Sequence, residues 1–158
     1  MQDFYRLEGS PLSAEFSSRN SGPAKQKASL IFVDPSARDI SRLILEADRN
    51  ADLVFLSARR DGPDQILRHL AGRGRLSLIH LLADFTHGRL TLGNKHLVVR
   101  SLRDYPAVFA RIGRAVIGGG EILIGAGAPR DGQGDTFRHA LATLAGAPVR
   151  LWDGGSRR

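Results

Sequence analysis

The chain has 158 residues, a formal net charge of +7, an isoelectric point near 10.9 and no cysteine. That length fits one domain with a core large enough to stand without staples. The missing cysteine excludes disulfides, thiolate metal sites and a cysteine nucleophile. Of the 23 basic residues only Lys25, Lys27 and Lys95 are lysines, so arginine sets the charge. A basic surface gathers nucleic acid, acidic lipid or an acidic protein by long-range attraction. Here Arg59-Arg60, Arg73 with Arg75, Arg111 with Arg114 and Arg157-Arg158 are separated by acids, with few aromatics between them to act as stacking platforms. The opening residues Met1 to Arg6 are polar, and no apolar run approaches the roughly 20 residues that cross a bilayer. The expectation is a soluble chain without signal peptide or membrane insertion, cytoplasmic by default.

Residues 1–28 mix Gly, Ser, Pro, Gln and charges around isolated Phe4, Tyr5 and Phe16, too little apolar surface to offset the entropy of ordering, and are expected to form a flexible arm. From Ala28 to Asp34 the run ASLIFVD reads as a buried parallel strand. Ser36 is expected to open a helix whose apolar stripe is Ile40, Leu43, Ile44 and Ala47. Asp52 to Ser57 is a second buried strand. Asp61-Gly62-Pro63 breaks the chain before a helix carrying Ile66, Leu67, Leu70 and Ala71, which ends near Gly72 to Gly74. Leu76 to Ala83 is the third strand. Arg89 to Leu92 and His96 to Val99 flank Gly93-Asn94, a hairpin signal. A long helix is expected from about Leu102 to Ile117, stopped by Gly118 to Gly120, then a strand Glu121 to Ala126. Phe137, Leu141, Leu144 and Ala145 mark the last helix and Val149 to Trp152 the last strand. Strands alternating with helices imply right-handed crossovers and a parallel sheet covered on both faces, in one domain over 29–153 with a tail at 154–158.

In such sheets ligands gather where loops leave the carboxyl ends of strands. His80, Asp84 and His87 carry metal-capable side chains, but His80 lies within a strand while the other two lie in its exit loop, so convergence on one ion is not expected. The loop Gly125-Ala126-Gly127-Ala128-Pro129-Arg130 precedes a helix, yet lacks both the third glycine of a dinucleotide fingerprint and a P-loop lysine. Asp131 to Asp135 lacks the terminal glutamate of a calcium loop and reads instead as a helix start with acids at the positive dipole end. Ser57, Ser77 and Ser101 sit in no Gly-x-Ser-x-Gly turn. Trp152, the one tryptophan, is read as an anchor of the last strand.

Across Ser29 to Leu151 the chain resembles a bacterial domain family of unknown function found near the N-termini of very large repeat-containing surface proteins. The resemblance rests on Phe32-Val33-Asp34, on Ile79-His80-Leu81-Leu82 followed by Gly88, Leu90 and Leu92-Gly93, and on Ile112-Gly113. It continues through Gly120-Glu121-Ile122-Leu123-Ile124-Gly125-Ala126, Gly134, Phe137 and Leu144-Ala145-Gly146-Ala147. It implies a caspase- and gingipain-like fold, edge-to-edge dimers, and a His-Cys pair across two adjacent strand ends, the histidine activating the thiol. At the matching positions this chain has Asp84 and Ala126. A shift of register would put His87 in the histidine's place, but Ala126 would still offer no nucleophile.

The expected fold is therefore α/β, a three-layer sandwich with a mainly parallel sheet of caspase-like topology. The expected function is that of a catalytically silent module for protein binding or assembly, with Asp84, His87 and Arg130 as candidate binding residues and no cofactor or metal. Partners are another protein or a second copy, through the strand-end face or a sheet edge. The alternatives are polyanion binding through the arginines, which would weaken steeply with salt, and a hydrolase that uses no cysteine.

Overall fold

In the computed structural model the described residues are 28–126 and 132–152. Expectations that fall on the arm (1–27), on Arg130 and on the tail after Trp152 lie outside them. Five parallel strands form the main sheet in the order β2-β1-β3-β7-β8, with β1 at Ser29–Val33, β2 at Ala51–Phe55, β3 at Leu76–Leu82, β7 at Val116–Ile124 and β8 at Val149–Leu151. The helices are α1 (Ile40–Glu46), α2 (Gly62–Leu70), α3 (Pro106–Ala115) and α4 (Gly132–Ala145). Between β3 and α3 the chain makes a separate antiparallel meander of β4 (Phe85–Thr86), β5 (Arg89–Leu92) and β6 (Lys95–Leu97), then a 3₁₀ turn at Arg100–Asp104.

The strand order explains the layers. The step from β1 to β2 runs in one direction across the sheet, and every later step runs in the other. Right-handed crossovers therefore place α1 on one face and α2, α3 and α4 on the opposite face. The core divides accordingly. Leu30, Phe32, Ile79, Leu81, Ile122 and Ile124 face Ile66, Leu70, Phe109, Ile112, Phe137 and Leu141 of the three helices. Ile31, Val33, Leu78, Leu82 and Leu123, the alternate positions, face Leu43 and Ala47 at α1 and Trp152. Phe32, Phe109 and Phe137 are fully buried, each worth roughly 1.5–3 kcal/mol relative to an exposed side chain. The mainly parallel, helix-flanked α/β architecture read from the sequence is what folds. Among the described residues no helix is long and apolar enough to cross a membrane.

Several local expectations need correction. Ser36 does not open α1. The helix starts at Ile40 after Asp39, whose backbone is left-handed at φ 53° and whose side chain makes no capping bond, while the Ser36 hydroxyl is used elsewhere. The second strand is not buried throughout. It is the edge, and Leu53 and Phe55 remain 40% and 62% exposed. The long helix is shorter at both ends. Pro106 starts α3, preceded by the 3₁₀ turn, because proline fits the first helical turn and disfavours helix in the residue before it. Gly118 to Gly120 lie inside β7 rather than before it, where the register jumps from Leu76 opposite Val116 to Leu78 opposite Glu121. The extra residues are accommodated as a bulge with Gly119 at φ 85°.

Asp61 is the N-cap of α2, its Oδ1 accepting from the Asp64 amide at 2.8 Å. Its Oδ2 accepts from the Tyr105 hydroxyl at 3.3 Å, tying α2 to the start of α3. Gly113 of α3 lies so close to Ala145 of α4 that a Cβ there would overlap the Ala145 backbone, and this fixes how closely the two helices cross.

Candidate functional site

In a sheet of this order the switch point lies between β1 and β3, and the crevice above their carboxyl ends is where ligands of such folds sit. Here the protein fills that crevice with itself. Asp34 follows β1 and is 1% exposed. Its Oδ1 accepts from the Gly93 amide at 2.6 Å and its Oδ2 from the Ser36 amide at 3.0 Å. The Ser36 Oγ accepts from the Asp84 amide at 3.0 Å, and the Asp84 carbonyl accepts from the Thr91 amide at 3.0 Å. A chain of hydrogen bonds thus runs from β1 through the β3 exit loop to the tip of the meander. The tip continues onto the loop before α2, where the Asn94 amide donates to the Arg60 carbonyl at 2.8 Å.

The local sequence dictates the meander. Thr86 pairs with Arg89 across His87-Gly88, both with positive φ, 53° and 72°, the signature of a type I′ turn. Leu92 pairs with Lys95 across Gly93-Asn94, where only Gly93 has positive φ, 61°, as in type II′. The turn at Gly93-Asn94 and its first arm are as expected from the sequence, but the second arm is Lys95–Leu97 rather than His96 to Val99. The two-residue strand β4 is an addition, too short to leave a periodic signal.

The positions matching the expected His-Cys pair do lie on neighbouring strand ends, since Leu81 is opposite Ile124 and the chains continue to Asp84 and Ala126. Neither position carries an imidazole or a thiol. Ala83 is fully buried and Phe85 packs against Phe137 with ring centroids 5.0 Å apart. Gly125 has φ 108°, and its amide donates to the Leu81 carbonyl at 3.1 Å. His80 is 1% exposed on the α1 face of the sheet. Its Nε2 lies 3.1 Å from the Gly125 carbonyl oxygen, and its ring meets Trp152 edge to face at 4.8 Å. Trp152 thus sits in the buried cluster on the α1 face, with its ring against the sheet histidine. Among the described residues no three His, Asp or Glu side chains gather as a metal ion requires.

His87 and Asp84, proposed together from the sequence, part company. Asp84 is partly buried and held through its backbone, whereas His87 is exposed at the β4–β5 turn. His87 lines a cleft of about 400 Å³ with Gly88, Val98, Val99, Arg100, Gln133 and Thr136, and Asp84 is not part of that lining. Arg130, the third candidate, lies outside the described residues. Sequence reasoning missed Arg100, Gln133 and Thr136. The first follows the meander and the other two open α4, and only the tertiary fold brings them together.

A family model described as a domain of unknown function (DUF4347) matches residues 30–151. No curated protein matches the chain, and no solved structure does.

Proposed function

We propose that this chain, which belongs to the DUF4347 family of domains of unknown function, is a caspase-like module that has lost its catalytic pair and serves in protein binding or assembly. The observation that carries the reading is the pairing of an inert strand-end site with an open cleft beside it. The chain has no cysteine anywhere, the loops after β3 and β7 present Asp84 and Ala126 in adjacent places, and the switch-point crevice is closed by Asp34, Ser36 and the meander tip. Recognition then falls to the surface around His87.

Assembly has its own support. The edge strand β2 pairs only with β1 among the described residues, and Leu45, Leu53 and Phe55 are 66%, 40% and 62% exposed beside it. Edge strands are ready templates for another chain unless blunted by charge or proline. The polyanion alternative is weakened by ion pairing, since Arg42, Arg68, Arg73, Arg138 and Arg150 each face a carboxylate.

The test is quantitative affinity capture from the native host with the wild-type chain and an Asp84→Arg, His87→Glu double variant. Protein retained by the wild type and lost by the variant supports binding through the old catalytic rim. Equal capture by both places the interface elsewhere. Capture of nucleic acid alone, released by salt, supports the polyanion reading instead. Cleavage of a peptide library by the purified chain would contradict catalytic silence.

A further inference from the structure

The geometry points to a more specific role for the His87 cleft, one that rests on the binding-module reading: it takes an extended peptide segment in which a carboxylate side chain adjoins an aliphatic one. The cleft's volume of about 400 Å³ falls within the roughly 300–1,000 Å³ of ligand sites. Its walls are built rather than incidental. On one side the Ser101 hydroxyl accepts from the Val98 amide at 2.8 Å and donates to the Val98 carbonyl at 3.0 Å, and buried Leu102 pins the 3₁₀ turn, so Val98, Val99 and Arg100 are fixed in place. On the other side the left-handed Gly88 packs on the first turn of α4, where a Cβ would come within 3.0 Å of the Gln133 carbonyl oxygen.

The lining selects the ligand. Val98 and Val99 are large apolar side chains left 40% and 39% exposed, which an aliphatic side chain would cover. Among the described residues Arg100 is the one permanently charged lining residue, and no carboxylate lines the cleft with it. The cleft opens at the amino end of the 14-residue α4, which adds a favourable field for a negative charge. Charge complementarity therefore calls for a carboxylate against Arg100, a pairing that guanidinium geometry favours. The Gln133 amide offers both a donor and acceptors to a peptide main chain. A single permanent cation beside two valines, among the described residues, does not match a nucleic-acid backbone, which needs a track of them.

The test is fluorescence anisotropy of the full chain with two labelled probes, acetyl-Gly-Val-Asp-Val-Gly-amide and its asparagine counterpart. The aspartate probe is expected to bind about two- to fivefold more tightly, the difference expected of an ion pair at an exposed arginine. Arg100→Glu and Val99→Asp should each abolish that preference, and Arg103→Glu, on the same turn but outside the lining, should leave it intact. Circular dichroism checks that all variants are folded. Equal binding of the two probes, unchanged binding by Arg100→Glu, or no binding of either probe at millimolar concentration would overturn the inference. If the probes fail while the Asp84→Arg, His87→Glu variant still loses a partner that the wild type retains, the peptide assignment falls and the binding-module reading stands. If the wild type retains no protein partner, the broader reading falls as well.

Discussion

Asp34 and Gly93, 59 residues apart in sequence, are joined by a buried hydrogen bond of 2.6 Å. The carboxylate at the end of β1 thereby holds the tip of a meander that begins only after β3. Since Asp34 also receives the Ser36 amide, it is the point through which the first strand controls the site side of the molecule.

Replacing Asp34 by alanine would leave two amides without their acceptor. Bonds to a charged group and orphaned buried donors together place the cost at about 3 kcal/mol. Urea unfolding should show the midpoint falling accordingly. A loss below about 0.5 kcal/mol would mean that water replaces the carboxylate and that the clamp is not structural.

Gly113 and Gly118 offer a contrast within one experiment. A Cβ at Gly113 meets the Ala145 backbone, whereas one at Gly118 meets nothing within 4 Å. Gly113→Ala should therefore destabilise by about 1–3 kcal/mol, the usual range for overpacking, with Gly118→Ala within about 0.5 kcal/mol of the wild type. Thermal melts of the two variants measure the difference directly.

Tyr105 gives the fold an alkaline limit. Burial, and then the nearby Asp61 carboxylate, raise the Tyr105 hydroxyl above its ordinary value of 10.0. A raised value means the folded state holds the proton more tightly than the unfolded state. The associated stability is present below pH 10 and is lost as pH rises through the folded value. Stability of the wild type should fall on that alkaline limb more steeply than that of Tyr105→Phe. Parallel slopes would remove Tyr105 from the account.

Trp152 reports on His80. It is the one tryptophan in the chain, and its ring meets the buried imidazole at 4.8 Å. His80→Ala should open space beside the indole, shift its fluorescence to longer wavelength and lower stability by about 2–4 kcal/mol through the cavity and the lost bond to Gly125. Unchanged emission would show that the ring does not depend on the histidine.

If the β2 edge mediates assembly, Phe55→Lys should lower any self-association seen by sedimentation velocity without lowering the melting temperature. The side chain is 62% exposed and outside the core, and an edge lysine is a common natural block to strand addition. Assembly unaffected by the substitution would direct attention to the other edge, β8.

Periodicity carried most of the architecture. The continuous runs at β1 and β3 were legible because a central parallel strand is buried on both faces and admits little polarity. Asp61-Gly62-Pro63 was legible as a break before α2, while the capping bond from Asp61 appears only in the fold. The amino half of β7 was not legible, because Gly118 to Gly120 carry no side chains to show alternation and resemble a helix stop. Ser36 misled for a related reason. A serine before an apolar stripe is a cap by local rules, but its hydroxyl is claimed by the Asp84 amide, a tertiary partner 48 residues away. The site was partly legible for the same physical reason. His87 was legible only as part of the loop leaving β3, while Arg100 and Gln133 meet it only through folding.

Because all five strands of the main sheet run the same way, Ser29 enters the sheet at its amino rim and Leu151 leaves at the carboxyl rim. The two ends of the domain body therefore face opposite directions. A segment joined ahead of β1 starts on the side away from the His87 cleft, while one joined after β8 starts on the rim that bears it. An attached domain or affinity handle is thus best placed upstream, and a downstream neighbour is the one positioned to shield or share the cleft.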